Sequence, residues 1–161
     1  MRIGLISDTH GLLRPEVFEH LSGVEHILHA GDLGPLDLLT ELQAIAPVTI
    51  VWGNTDGMEV RAAVPETVKV RLGGVDVAVV HGHQFGSPVP RLVAAANAGA
   101  GLVVFGHSHQ PVVERVGNSL LVNPGSAGPR RFNQPVTLAI ATIENGEVEA
   151  AIVPLLGEGD E

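Results

Sequence analysis

The stretch RIGLISDTHG, residues 2–11, begins as a nearly continuous apolar run and ends in two polar side chains, Asp8 and His10. The apolar part has the length and composition of a buried strand. In an extended chain, residues two apart point the same way, so Asp8 and His10 can aim at one point. A lone Asp-Thr-His triplet is also an ordinary turn or helix cap. The surrounding sequence therefore has to decide between the two explanations.

The pattern of a buried strand followed by a helix repeats through the first third of the chain. Two further apolar runs, HILHA at 26–30 and VTIVW at 48–52, have strand length. Helix-like stretches at 14–22 and 34–45 separate the three runs, and each has a proline near its first turn. The order β-α-β-α-β predicts a parallel arrangement of these strands.

The second half of the sequence favours antiparallel pairs. The segment 67–80 has a Gly-Gly pair in its middle, and 111–123 and 135–155 contain Gly-Asn and Asn-Gly pairs, so all three predict hairpins. A helix is predicted within 87–100 and a strand at 101–105. We expect an α/β protein.

Composition excludes several classes of function. The chain has 161 residues, 45% of them hydrophobic, and we expect one domain at 1–156 with a frayed acidic tail at 157–161. A single lysine and eight arginines without a basic stripe argue against an extended nucleic-acid surface. No apolar run approaches the ~18 residues of a membrane span. Because Asp8 comes too early for the apolar region of a signal peptide, we expect a cytoplasmic protein.

The net charge of −9 has two explanations, a soluble acidic surface or carboxylates compensated by bound cations. Side chains that can bind metal follow the predicted strands, where open α/β sheets place their ligands. In chain order they are Asp8 and His10, Asp32, Asn54, His81 and His83, and His107 and His109. Carboxylate, imidazole and amide groups without sulfur suit divalent Mn, Fe, Co, Ni or Zn. Without His83, seven candidate ligands remain; they exceed what one tetrahedral ion takes and fit two ions that share a carboxylate.

The order of these motifs resembles one known family. D-x-H, G-D, G-N, H and G-H-x-H, together with HAGD, GNTD, HGH, GHSHQP and NPGS, resemble the calcineurin-like metallophosphoesterase superfamily and its small bacterial and archaeal phosphodiesterase branch. The resemblance implies a two-sheet β-sandwich flanked by helices, in four α/β/β/α layers. It also implies that one ion is held by Asp8, His10, Asp32 and His109, and a second by Asp32, Asn54, His81 and His107.

The chain departs from the wider superfamily at Thr55, where many members carry a histidine after the metal-bound asparagine. A threonine hydroxyl cannot serve as a proton donor near neutral pH. The phosphodiesterase branch often lacks this histidine, so the change indicates subtype. His83 is a candidate replacement acid or a structural histidine, and Asp56 is expected to orient a ligand. NPGS, at 123–126, either shapes the edge of the site or is a plain turn.

The resemblance predicts a hydrolase in which a hydroxide bridging two divalent ions attacks small phosphodiesters, with Asn54 and His81 essential. Manganese is the first expectation for the metal, with nickel, cobalt, iron, zinc or magnesium as alternatives. A phosphomonoesterase of the same mechanism is an alternative. Another is a non-catalytic interaction module like the retromer subunit of this fold. Family likeness also suggests a homo-oligomer.

Overall fold

A computed structural model, which describes residues 1–131 and 133–157, contains two five-stranded sheets flanked by helices. The strands are β1 (Arg2–Ile6), β2 (His26–His29), β3 (Val48–Ile50), β4 (Thr67–Leu72), β5 (Val75–Val80), β6 (Leu102–Val104), β7 (Val112–Val116), β8 (Ser119–Asn123), β9 (Thr137–Glu144) and β10 (Glu147–Pro154). The helices are α1 (Pro15–His20), α2 (Asp37–Gln43), α3 (Met58–Ala63) and α4 (Pro90–Ala96), with a 3₁₀ turn at His83–Phe85.

The first sheet has the strand order β10-β9-β1-β2-β3, and the second has the order β4-β5-β6-β8-β7. Strands β1, β2 and β3 pair in parallel, which confirms the prediction from the β-α-β-α-β pattern. The three predicted hairpins are also present, as the antiparallel pairs β4–β5, β7–β8 and β9–β10. Strand β1 pairs with β9 on its other side, so the end of the chain returns to complete the first sheet.

The main core lies between the two sheets. Apolar side chains of β1 and β2, such as Ile3 and Leu28, pack with those of β5, β6 and β8, such as Val77, Val104 and Val122. Burying such side chains contributes about 25 cal/mol for each Å² of apolar surface removed from water. This core fixes the two sheets face to face, so the loops at one end of the sandwich are supplied by both sheets.

Helices cover the outer faces of the sheets. Val17 of α1 and Leu42 of α2 pack against the first sheet, and Val93 of α4 packs against the second. The sequence did not predict α3, which has six residues and buries only Val60. Together the layers form the predicted two-sheet sandwich with flanking helices.

Among the described residues, no helix is long and apolar enough to cross a membrane. The expected frayed tail at 157–161 lies outside the described residues apart from its first position. A single domain and a cytoplasmic location stay predictions.

Candidate metal centre

The predicted ligands converge at one end of the sandwich, on loops that leave strands of both sheets. Asp8 and His10 follow β1, Asp32 follows β2 and Asn54 follows β3 in the first sheet. His81 follows β5, and His107 and His109 follow β6, in the second sheet. Segments separated by about a hundred residues in sequence therefore meet at this end of the molecule.

One group of donors consists of Asp8, His10 and His109. Asp8 Oδ1 lies 3.3 Å from His109 Nε2 and 3.7 Å from His10 Nε2. The two Nε2 atoms are 3.3 Å apart. All three ligand atoms lie within 4.8 Å of one another, which is the spacing of donors around a single cation.

A second group consists of Asp8, Asp32 and His81. His81 Nε2 lies 3.2 Å from Asp32 Oδ2 and 3.9 Å from Asp8 Oδ1. Asp32 Oδ2 is also 3.8 Å from His10 Nε2, so each of the two carboxylates has an oxygen facing both groups. The resemblance implies that Asp32 is the ligand shared by the two ions. In the structure, Asp8 also lies within 4 Å of histidines from both groups.

Asn54 and His107 lie beside the second group. Asn54 Oδ1 is 3.1 Å from His81 Nε2, and the ring centroids of His107 and His81 are 5.2 Å apart. Asn54 is exposed, whereas His81 is fully buried. Six of the seven candidate ligands have a side-chain donor atom within 4 Å of a donor atom of another candidate. The seventh, His107, has its ring beside that of His81.

The fully buried carboxylate of Asp8 shows how well these residues suit a cation. Its Oδ2 accepts hydrogen bonds from Ser7 Oγ at 2.6 Å and from the His107 N–H at 3.2 Å. Its Oδ1 has no hydrogen-bond partner among the described residues. A buried carboxylate oxygen without a partner is costly, and a divalent ion at this point would satisfy it. The donor set, oxygen and imidazole without sulfur, fits such an ion.

The orientation of His81 is fixed from behind. Its Nδ1 lies 2.7 Å from the carbonyl oxygen of Ala30, and a carbonyl can only accept, so Nδ1 carries the proton. Nε2 therefore faces Asp32 and Asn54, and on losing its proton it would offer a lone pair to a cation at this point. Metal-binding histidines are commonly held through their second nitrogen in this way.

The ligand loops use an unusual backbone conformation. Among the described residues other than glycine, seven have a positive φ, and five of these are predicted ligands. They are Asp8, His10, Asp32, His107 and His109, with φ between 45° and 74°. This left-handed conformation is disfavoured for residues with a side chain, and its occurrence is concentrated at functional sites.

Glycines beside the ligands are required by close approach. A Cβ on Gly53 would overlap Asp32 Oδ1, and a Cβ on Gly106 would overlap Ser7 Oγ and crowd Asp8 Oδ2. These contacts give a physical reason for glycine before Asn54 and before His107.

The charges of the site support one another. Burial raises the pKa of Asp8, but the contacts with His10 and His109 outweigh it and hold the pKa well below its usual range. Burial likewise raises the pKa of Asp32, and His81 outweighs it, so this pKa is also lowered. Both carboxylates are therefore ionised at neutral pH and available to a cation.

Asp56 holds the backbone of two ligand loops together. Its buried carboxylate accepts the N–H groups of Asp32 at 3.0 Å, Gly34 at 3.2 Å and Gly53 at 2.8 Å. It thereby ties the loop after β2 to the loop after β3. Thr55 is exposed, and its N–H donates to Asp32 Oδ1 at 2.9 Å.

His83 lies at the margin of the site. Its ring stacks on Trp52 with centroids 5.6 Å apart, and it is 5.5 Å from the His81 ring. Its Nε2 is 3.9 Å from Glu66 Oε1. Burial, followed by the charge of His81, lowers the pKa of His83, so the ring is neutral at neutral pH.

Sequence reasoning missed two residues that support the site. Ser7 fixes Asp8, as described above, and nothing in the pattern distinguishes it from any serine at a strand end. Arg61 of α3 donates to the carbonyl oxygens of Asp56 at 2.7 Å and Asn54 at 3.0 Å, and its guanidinium lies 4.4 Å from the centroid of the Trp52 ring. An acidic residue in the first turn, Glu59, and a proline just beyond the end, Pro65, are the sequence signals that could have identified the helix that carries Arg61.

Comparisons with known proteins agree with this geometry. Residues 1–146 match the family model for the calcineurin-like phosphoesterase superfamily domain. A probable metallophosphoesterase of Methanothermobacter thermautotrophicus is 37% identical over 163 residues, covering 95% of this chain and 92% of the relative.

Solved structures share the fold. An archaeal phosphodiesterase matches with a TM-score of 0.76 and 25% identity, covering 95% of this chain and all (100%) of that one. A single mutant of Vps29 from Entamoeba histolytica matches with a TM-score of 0.79 and 20% identity, covering 96% of this chain and 99% of that one, which shows the fold alone. The resemblance inferred from the motifs is confirmed, and the chain belongs to the calcineurin-like phosphoesterase superfamily.

Proposed function

We propose that the protein is a metal-dependent phosphodiesterase that hydrolyses small phosphodiesters. The observation that carries the proposal is Asp8 Oδ1, a buried carboxylate oxygen without a hydrogen-bond partner among the described residues, which faces three histidine nitrogens within 3.9 Å. The family match and the likeness to an archaeal phosphodiesterase support the reaction class.

The residues divide between two ions. We assign Asp8, His10, Asp32 and His109 to one, and Asp32, Asn54, His81 and His107 to the other, with manganese as the first candidate metal. Two divalent ions, when bound, supply an activated water and offset charge on the attacking and leaving oxygens. The chain contributes the fixed positions of the donors, because a catalytic group displaced by 1 Å can cost about 10²-fold in rate.

The leaving group receives little help from the chain. Thr55 has no proton to give near neutral pH, and His83, whose pKa is lowered by burial, is uncharged there. The enzyme therefore prefers diesters whose leaving oxygen needs no proton, such as aryl diesters. We assign Asp56 and His83 to positioning, Asp56 through the ligand loops and His83 through its contacts with His81 and Trp52.

The alternative of an interaction module rests on the likeness to Vps29 in fold. All seven ligand positions here carry residues competent to bind metal, and this favours the enzyme. The alternative predicts no hydrolysis under any metal.

The test is a hydrolysis assay on metal-stripped protein. Mn, Ni, Co, Mg and Zn are added one at a time, and aryl diesters and aryl monoesters are compared side by side. We expect metal-dependent hydrolysis with a preference for the diester. Asn54→Ala and His81→Ala should each abolish it in a folded protein, whereas Asn118→Ala, an exposed residue in the β7–β8 turn, should not.

Undiminished activity after metal removal would refute the mechanism. A preference for the monoester would replace the proposal with a phosphomonoesterase. Absence of hydrolysis with every metal and substrate would favour the interaction module.

A further inference from the structure

The segment 123–128, which contains the NPGS motif, crosses from the second sheet to the first. It leaves the end of β8 at Asn123 and runs to the residue just before β9, where Ser126 forms an isolated bridge with Val136. The carbonyl oxygen of Ser126 accepts the N–H of Thr137 at 3.0 Å. Thr137 Oγ1 also donates to Pro124 O at 2.6 Å. We call residues 123–128 the cross-sheet strap.

Asn123 binds the strap to the loop after β6. Its side chain is fully buried, and Nδ2 donates to Gly106 O at 3.2 Å and to Ser108 Oγ at 3.1 Å. Its Oδ1 accepts the N–H of Gly125 at 3.0 Å, which holds the amide in this orientation. Gly106 and Ser108 flank His107, and Ser108 immediately precedes His109, so Asn123 fixes the loop that carries both histidines.

Ser126 binds the strap to the loop after β1. Its Oγ donates to the carbonyl oxygen of Asp8 at 2.9 Å, and the N–H of Ala127 donates to Ser7 O at 3.1 Å. At Gly128 the strap lies so close to this loop that a Cβ would overlap the carbonyl oxygen of Thr9. The strap therefore holds the two ligand loops, one from each sheet, at a set spacing.

We propose that Asn123 and Ser126 are positioning residues for one ion of the pair, the ion to which the group of Asp8, His10 and His109 belongs together with Asp32. This inference rests on the proposed function, because it assumes that the site binds metal. Every member of that group lies on a loop that the strap holds. The second group draws Asp32 and His81 from loops held by Asp56 and by the carbonyl of Ala30.

If the inference is right, loss of a strap contact weakens the binding of one ion more than that of the other. Loss of a strap contact lets the loops after β1 and β6 shift relative to each other, which spreads the donors of the first group. The second ion also has one ligand, His107, on the loop after β6, but its other ligands, Asp32, Asn54 and His81, stay in place. A strap that served only the fold would instead lower the stability of the metal-free protein and affect both ions alike.

The experiment titrates metal-stripped protein with Mn²⁺ in two strap variants, Ser126→Ala and Asn123→Asp. Bound and free Mn²⁺ are measured by electron paramagnetic resonance, and thermal unfolding is measured without metal. We expect one of the two dissociation constants to rise about 10- to 100-fold, the range found when residues that orient metal ligands are changed. The other constant should change by less than about threefold.

Matched controls make the same chemical changes away from the site. Ser119 lies at the opposite end of β8 and donates through Oγ to Ala100 O at 2.5 Å. Asn97 is buried after α4 and donates through Nδ2 to Val93 O at 2.8 Å. Ser119→Ala and Asn97→Asp should leave both Mn²⁺ constants unchanged, even where they lower the unfolding temperature.

Two results would overturn the inference while leaving the proposed function intact. One is wild-type affinity for both ions in Ser126→Ala and Asn123→Asp, and the other is an equal loss of both. If Asn123→Asp does not fold, Ser126→Ala decides, since it removes a single oxygen. Failure of the unaltered protein to take up any divalent ion would overturn both the inference and the proposed function.

Discussion

The two oxygens of Asp8 have separate tasks. Oδ2 is held by Ser7 and by the backbone of His107, so the carboxylate cannot rotate, and Oδ1 is left to face the histidines. Thr55 presents the opposite case, because its backbone N–H anchors Asp32 while its side chain lies at an exposed position. A different side chain can therefore be introduced at exposed Thr55, whereas a change at buried Asp8 would disrupt its surroundings.

Thr55→His tests the account of the leaving group. A histidine here can donate a proton to an alkoxide leaving group, which Thr55 cannot do. We expect the rate on alkyl diesters to rise by up to about 10²-fold, the low end of general acid catalysis, with little change on aryl diesters. Initial rates on a series of diesters with leaving groups of rising pKa provide the measurement. Equal rates for both proteins across the series would contradict this account.

At the scale of strands and loops, the sequence predicted what depends on local pattern. Continuous apolar runs identified the parallel strands β1, β2 and β3, and Gly-Gly, Gly-Asn and Asn-Gly pairs identified the hairpins. Helix α3 escaped prediction because it is short and lacks a proline in its first turn, the signal that accompanied the predicted helices α1 and α2. The convergence of the candidate donors was predictable because each of them follows the end of a predicted strand. The strap contacts were not, because they join segments from two sheets whose relative position no local pattern encodes.

His29 joins the ends of β1 and β2. Its Nε2 lies 3.0 Å from Thr9 Oγ1, which itself donates to Leu33 O at 2.8 Å, so Nε2 carries the proton and donates. Its Nδ1 accepts the N–H of Gly31 at 3.1 Å. Both ring nitrogens are thus used by the neutral form. Burial lowers the pKa of His29 from 6.5 to about 4.

This pairing predicts a loss of stability in mild acid. Between pH 6.5 and about 4 the unfolded chain binds a proton that the folded chain does not, so the free energy of unfolding falls as the pH falls. The loss from this residue is roughly 3 kcal/mol, complete near pH 4. Urea unfolding of metal-free protein at pH 7, 5 and 4 measures it. His29→Gln should flatten the pH dependence over this window, and an unchanged slope would contradict the assignment.

Across the whole molecule, the candidate centre joins the two sheets. Asp8, His10, Asp32 and Asn54 come from the first sheet, and His81, His107 and His109 come from the second. An ion held by donors of both sheets binds only the folded chain, since unfolding separates them. Metal binding should therefore act as a crosslink at one end of the sandwich.

Metal removal should lower the thermal stability. At a free metal concentration of about 100 times the dissociation constant, each ion adds about 2.7 kcal/mol to the free energy of unfolding. Calorimetric melting with and without a chelator, repeated with added Mn²⁺, measures the shift. His109→Ala should show a smaller shift than the unaltered protein. An equal unfolding temperature with and without metal would contradict binding at this place.

The left-handed backbone at five candidate ligand positions limits the thermal stability of the protein. Each such residue costs of order 1 kcal/mol or more, and glycine would relieve that cost. A library selected for heat resistance alone, in the presence of a chelator, should therefore enrich glycine at positions 10 and 107, with loss of the two candidate donor side chains, His10 and His107. The natural sequence instead retains a strained backbone at these positions, at a cost in the free energy of unfolding, and this backbone directs the donor side chains into the candidate centre.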